Sequence, residues 1–333
     1  MKRYSTLLAT SLLTGLVLSS CSMGSLIGNP SDRGQLHLEL IRPSEGLLTF
    51  DQVLVIPLDG FVATGDMNTY WGQPGMLVAL KDRLDAARKN HRLRAVVLRM
   101  NSPGGSVTAS DLIHREIKRF REETNLPVVV QMTDVAASGG LYIAMAADEI
   151  YALPTTVTGS IGVIAQMPRL DGLGDKIGVQ MRMIKSAPMK DAGSPWRSLN
   201  EKEREIFQRL IDHFDEQFVN VILESRGEHG LSRQKLTALA DGRILRSEEA
   251  ATAGLIDGVK YPEEVFDRAA QMGGVDDYNL VSYEYPRDFR GNIYARAPNA
   301  TACDQTGQSL IRLEIGRFDP HMQQPRFLYL WAP

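Results

Sequence analysis

"PVVVQMTDVAASGGLYIA", residues 127–144, decides how this chain folds. Its first six residues are apolar apart from Gln131, the pattern of a strand buried on both faces. After Gly139 and Gly140 the stretch is apolar again and begins a helix. Between the two stands Ser138, a lone hydroxyl flanked by Ala136, Ala137 and two glycines. Small residues here let two elements approach closely. They equally let an extended substrate backbone reach a reactive serine.

The same alternation repeats on either side. "QVLVIPL" (52–58), "RAVVLRM" (94–100) and "EIYAL" (149–153) read as further buried strands. "QLHLELI" (35–41) alternates and reads as an exposed strand. Leu77, Leu80, Leu84 and Ala87 recur at helical spacing. Leu112, Ile113, Ile117 and Phe120 mark a second helix, entered through Thr108 with Asp111 three residues on. A long helix runs from Asn200 to Ser225, with Phe207, Leu210, Ile211, Phe214, Phe218, Val221 and Ile222 on its expected buried side. "DGRILRSEEAATAGLIDGV" (241–259) reads as turn, strand, short helix, turn, strand. Buried strands alternating with helices predict an α/β fold with a parallel sheet and right-handed crossovers.

The 333 residues suit one large or two small domains, and a net charge of −3 gives no bulk reason to expect nucleic-acid binding. Lys2 and Arg3 precede an apolar stretch at 6–18 that is too short to span a bilayer comfortably, and "LSSC" follows it. Residues 1–20 are therefore expected to be a secretory signal peptide. The ending resembles a bacterial lipobox with Cys21 as the lipidated residue; an ordinary signal peptide with an accidental cysteine is the alternative. In that resemblance Ser22, not being aspartate, permits sorting to the outer membrane. Residues 21–34 read as a tether, 35–284 as the main domain and 285–333 as an extension. If Cys21 is acylated, Cys303 has no partner within the chain, so the core alone must stabilise the fold. No CxxC or HExxH pattern occurs, and no metal site or cofactor is expected.

Three glycine-rich segments follow strands: "LRMNSPGG" (98–105), "AASGG" (136–140) and "TGSIGV" (158–163, with Thr158 first). In an open α/β sheet such loops converge on the crevice at the carboxyl ends of the strands. Ser138 at a helix start either caps the helix or reacts where free N–H groups can hold an oxyanion. None of the six histidines lies in these loops, which disfavours a Ser-His-Asp arrangement. The other base available to a serine is a lysine kept neutral by desolvation. "MIKSAPMKDAGSP" (183–195) offers Lys185 and Lys190.

Taken in order, these segments and the 241–258 stretch resemble the signal peptide peptidase A family (protease IV, the S49 serine peptidases). The likeness runs from about residue 52 to 272, in the short form that lacks a tandem second half. It implies a crotonase-like fold related to the Clp protease. It also implies a Ser/Lys dyad of Ser138 and Lys190, with Ser160 orienting the lysine and the amides of Gly105 and Gly139 forming the oxyanion hole. Lys185 does not match the family's lysine. The family's short members assemble the dyad across protomers of a ring. By this resemblance the protein is a serine endopeptidase acting on cleaved signal peptides or other short apolar peptides; most members of the family are held by a transmembrane helix, whereas the "LSSC" ending points to a lipid anchor on a membrane facing the periplasm. A non-catalytic scaffold on the same fold is the competing reading.

The chain ends in "PRFLYLWAP" (325–333). Phe327, Tyr329 and Trp331 alternate with Leu328 and Leu330, as suits strand addition to a groove edge. Packing on the protomer's own core is the other reading, and deletion of 325–333 separates them through the turnover of short peptides.

Overall fold

The computed structural model describes residues 36–46, 49–64, 75–285 and 326–330. The expected signal peptide (1–20), Cys21, the expected tether (21–34) and Cys303 lie outside them. Strand β2 (Gln52–Asp59) shows why a continuous apolar run was needed: its side chains alternate between two cores. Leu54, Ile56 and Leu58 face helices α1 (Met76–Arg88) and α2 (Val107–Thr124). Val53 and Val55 face α8 (Pro262–Met272), with Val265, Phe266 and Ala269. Strands β3 (Leu93–Ser102) and β5 (Val128–Ala137) repeat this two-sided burial.

The main sheet runs β1-β11-β2-β3-β5-β6-β10. Here β1 is His37–Arg42, β6 Glu149–Ala152, β10 Gly258–Val259 and β11 Asn279–Glu284. All pairs from β11 to β10 are parallel. The sheet is mixed, not purely parallel: β1 is antiparallel to β11, and β9 (Ile244–Arg246) is antiparallel to β7 (Val157–Gly159). The first half of β5 pairs with β6, and its last three residues pair with β7. A second sheet of three strands runs β4-β12-β8: β4 is Gly104–Ser106, β8 Ile164–Gln166 and β12 Arg326–Leu330.

Two details differ from expectation. Helix α2 is capped two residues earlier, by Ser106, whose side chain accepts from the Ala109 N–H; Thr108 lies inside the helix. Helix α5 (Glu201–Arg226) has the expected Asn200 cap, reinforced by Glu203, but only its second half packs fully. Phe218, Val219 and Ile222 are buried, whereas Ile206 and Leu210 are exposed. The end of α5 is held by Arg226, only 2% exposed, which donates to both oxygens of Asp257 at 3.0 and 2.8 Å. Asp257 in turn accepts from the Ile150 N–H at 2.7 Å, tying α5 to β6.

Candidate active site

Ser138 stands where β5 gives way to the short helix α3 (Gly139–Ala144). Its φ of 52° and ψ of −115° lie outside the usual regions for an L-residue, a conformation costing roughly 1–3 kcal/mol. Two hydrogen bonds hold it. The Ser138 N–H donates to the Gly159 carbonyl at 2.8 Å, and the Ser138 carbonyl accepts from the Tyr142 N–H at 2.9 Å. The side chain does not cap the helix. Its Oγ is buried and has no hydrogen-bond partner among the described residues. A hydroxyl buried alone, on a strained strand-to-helix turn, serves no purpose in folding.

The glycines around it are required by contact. A Cβ on Gly140 would lie 2.8 Å from the Ser102 carbonyl oxygen, and one on Gly139 would lie 2.5 Å from Ser110 Oγ. A Cβ on Gly105 would fall 2.1 Å from the Val62 carbonyl oxygen. Gly104 has φ +96°, and a Cβ there would meet the Gly139 nitrogen at 2.6 Å. Ser102 Oγ, donating to the Gly60 carbonyl at 2.6 Å, accepts from the Gly104 N–H at 3.1 Å and fixes this turn. Val62 uses the Gly104 carbonyl and the Ser106 N–H. In a regular ladder that leaves the Gly105 N–H and carbonyl facing the opposite side, into the cleft. The three glycine-rich segments thus meet at Ser138.

Ser160 lies in the same place, one residue past the Gly159 that holds Ser138. It is buried, has φ +51°, and its N–H donates to the Arg243 carbonyl at 2.7 Å. Lys190 is elsewhere. It sits exposed in a 3-10 turn, Pro188–Asp191, and does not bond Ser138. That turn is nonetheless anchored. Asp191 accepts from Lys185 at 2.5 Å and from Arg197 at 2.7 Å, and Arg197 also donates to the buried Glu203 at 2.9 Å. Hydrogen bonds from Arg197 and Lys185 hold the Asp191 carboxyl well below the usual carboxylate range. Lys185 is therefore spoken for by an ion pair, and Lys190 beside it is not.

An aromatic pocket opens next to the glycines, and sequence reasoning did not find it. Tyr142 of α3 and Phe218 of α5 form its walls, their rings 5.3 Å apart. Tyr142 donates to Asp111 at 2.9 Å and is backed by His114, whose imidazole is pushed down to about 4 by burial. The signal was available in the helical spacing of Phe214 and Phe218, but nothing in it says which helix they face.

Strand β12 fills the cleft. Its register pairs Leu328 with Ser106 and Tyr329 with Gly105 on one side, and Arg326 with Gln166 and Phe327 with Ala165 on the other. The alternation of "RFLYL" is thus strand addition, and Tyr329 is also buried against the core. Among the described residues no group of His, Cys, Asp and Glu is placed to hold a metal ion. No helix among them is long and apolar enough to cross a membrane.

The profile of peptidase family S49 matches residues 121–276. A putative protease of Synechocystis sp. is 39% identical over 182 residues, covering 55% of this chain and 64% of its own length. A putative signal peptide peptidase SppA of Enterococcus faecium is 30% identical over 234 residues, covering 70% of this chain and 67% of its own. The chain thus spans about two thirds of the length of these relatives. A solved ClpP1 mutant from Listeria monocytogenes is similar with a TM-score of 0.41 and 20% identity, over 65% of this chain and 95% of that one.

Proposed function

The chain belongs to peptidase family S49, and from that premise we propose that it is a serine endopeptidase built on Ser138 and on Lys190 of a neighbouring protomer. The observation that carries this reading is the Ser138 hydroxyl, strained, buried and unpartnered beside a cradle of glycine amides. Ser138 Oγ attacks the substrate carbonyl as its proton passes to the neutral Lys190 Nζ. The amides of Gly105 and Gly139 take the negative charge of the tetrahedral intermediate, where one such donor is worth about 3 kcal/mol. The lysine then returns the proton to the leaving amine, and water releases the acyl group by the same path in reverse. Ser160, one residue beyond Gly159, orients the lysine.

A lysine accepts a proton only when desolvation lowers its affinity for the one it already carries. Lys190 is exposed among the described residues, and a neighbouring protomer can desolvate it. The surface around it suits that role. Ile177, Met181, Met183 and Ile184 crowd the segment before Lys190, and Ile184 is fully exposed. Ile206 and Leu210 of α5 are exposed as well. A second copy of this chain in a ring covers it. The "LSSC" ending supports lipidation at Cys21 and tethering to a membrane facing the periplasm, and the apolar cleft suits signal-peptide remnants or other short apolar peptides.

A serine-reactive phosphonate probe tests the reading. It should label the parent protein at Ser138 and leave Ser138→Ala unlabelled. A folded, assembled parent that takes no label would identify a scaffold instead.

A further inference from the structure

The backbone of Ser138 is held from a distance, by a turn that carries no reacting group. The peptide unit joining Gly159 to Ser160 faces two ways. Its carbonyl, on Gly159, accepts from the Ser138 N–H at 2.8 Å, and its N–H, on Ser160, donates to the Arg243 carbonyl at 2.7 Å. One rigid plane therefore couples residue 243 to the nucleophile. Left alone, that plane would turn over. Ser160 has φ +51°, in the left-handed region that is costly for a serine. Rotation about the two bonds that flank the plane returns Ser160 to a negative φ, and Gly159 has no Cβ to obstruct it. The flip carries the Gly159 carbonyl away from Ser138. The strained φ of Ser138 is kept by that bond and by the Tyr142 amide. The group that opposes the flip is the Arg243 carbonyl.

This carbonyl is aimed by its own turn. Strand β9 runs antiparallel to β7, with Ile244 opposite Gly159, and the Gly242 N–H donates to the Ile161 carbonyl at 3.1 Å. Residues 242–244 thus bracket Ser160 on both sides. Gly242, at φ +84°, lets the chain reverse there. Asp241 closes the turn. Its carboxylate accepts from the Arg243 N–H at 3.1 Å and from Arg243 Nε at 2.7 Å, gripping the residue whose carbonyl faces Ser160. The hydrogen bonds from Arg243 hold the Asp241 carboxyl down at about 2, so it remains an unprotonated acceptor through the neutral range. Both side chains are about half exposed, so the pair adds little to global stability and its effect is local.

We propose that Asp241 is a positioning residue for the nucleophile: through the Arg243 carbonyl it locks the Gly159–Ser160 peptide, and so keeps Ser138 in its reacting geometry. This rests on the peptidase reading. The action runs through backbone alone and leaves strands β4 and β8 in place. Loss of the lock therefore lowers the rate of the chemical step and leaves substrate binding as it was.

The test compares the full chain with Asp241→Ala, which loses both bonds to Arg243, and with Asp241→Asn, whose amide oxygen still accepts from the Arg243 N–H. Folding is checked by thermal melting. Three quantities are read: kcat and KM for a short fluorogenic peptide, the rate at which the phosphonate probe labels Ser138, and hydrogen–deuterium exchange at the Ser138 and Ser160 amides. Asp241→Ala should lower kcat and the labelling rate about five- to tenfold, leave KM within about twofold, and speed exchange at both amides about fivefold or more, the scale of one net hydrogen bond. Asp241→Asn should return every quantity to within about twofold of the parent. A folded Asp241→Ala with parent kcat, labelling and exchange overturns the proposal. So does an asparagine variant as slow as the alanine one, or a loss carried by KM alone. Where Asp241→Ala does not fold, Gly242→Ala takes its place. Its φ of +84° strains the turn while a Cβ there meets nothing within 4 Å, and the same fall in kcat with faster exchange is expected. If the parent takes no label, the peptidase reading fails, and exchange at Ser138 alone decides whether Asp241 holds the peptide.

Discussion

Two inactive proteins should make an active one. Ser138→Ala lacks the nucleophile but keeps Lys190, and Lys190→Ala does the reverse. Each alone should fall below about a thousandth of parent turnover, since either member of a catalytic unit is indispensable. Among the described residues Ser138 Oγ has no partner, and Lys190 is exposed on a separate turn. A ring in which each interface joins the serine of one protomer to the lysine of the next gives a definite yield. With equal amounts mixed at random, a site has one chance in two of an intact serine and one in two of an intact neighbouring lysine, so about one quarter of parent activity returns. The assay is co-expression with two different tags, tandem capture of mixed assemblies, and turnover of a short fluorogenic peptide. Captured mixed rings no more active than either variant alone would refute the shared site and put the dyad within one chain.

The lysines should separate cleanly. Lys190→Ala abolishes turnover, while Lys185→Ala, which loosens Asp191 but leaves Arg197 in place, keeps a tenth or more of it, by the rule of thumb that one exposed ion pair is worth about 1 kcal/mol. Arg226→Ala leaves Asp257 without its buried partner and should cost about 3–5 kcal/mol in urea unfolding. His114, held near 4 by burial, binds a proton far more readily when unfolded, so stability should fall as pH drops from about 6.5 to 4, by up to about 3 kcal/mol. His114→Leu should flatten that slope, which unfolding curves at pH 7 and 4.5 will read. Ser138→Ala should unfold later than the parent, by about 1–2 kcal/mol, because it removes an unsatisfied buried hydroxyl.

The frame of the sheet was legible because burial on two faces forces a continuous apolar run. "QVLVIPL", "RAVVLRM" and "PVVVQM" lie within β2, β3 and the start of β5. The convergence of three glycine-rich segments was legible too, since glycines placed after strands point to close backbone approach. What escaped was everything set by short or partnerless elements. Strands β4, β7 and β8 have three residues each, too few to show a period. The cap of α2 went to Ser106 instead of Thr108, because a serine just past two glycines offers an equally good acceptor two residues earlier. The outer half of α5 carries the apolar stripe of a buried helix, yet among the described residues Ile206 and Leu210 stay exposed while Phe207 meets Phe327. A sequence pattern records that a face is to be buried, not whether its own chain or another copy will bury it.

That distinction runs through the site. The chain supplies a strained serine and a glycine cradle, and both are costly to keep. Strain at Ser138 and the buried lone hydroxyl each cost about 1–3 kcal/mol, with no folding benefit. They persist because the surroundings over-determine them: the Gly159 carbonyl, the Tyr142 amide and the absence of a Cβ at Gly139 and Gly140 leave the turn no other path. The lysine, by contrast, is held only at the backbone. Asp191, Lys185, Arg197 and Glu203 fix the turn and leave the Lys190 side chain outside their ion pairs. The same α5 that exposes Ile206 and Leu210 contacts Phe327 and Tyr329 through Phe207, Phe214 and Phe218.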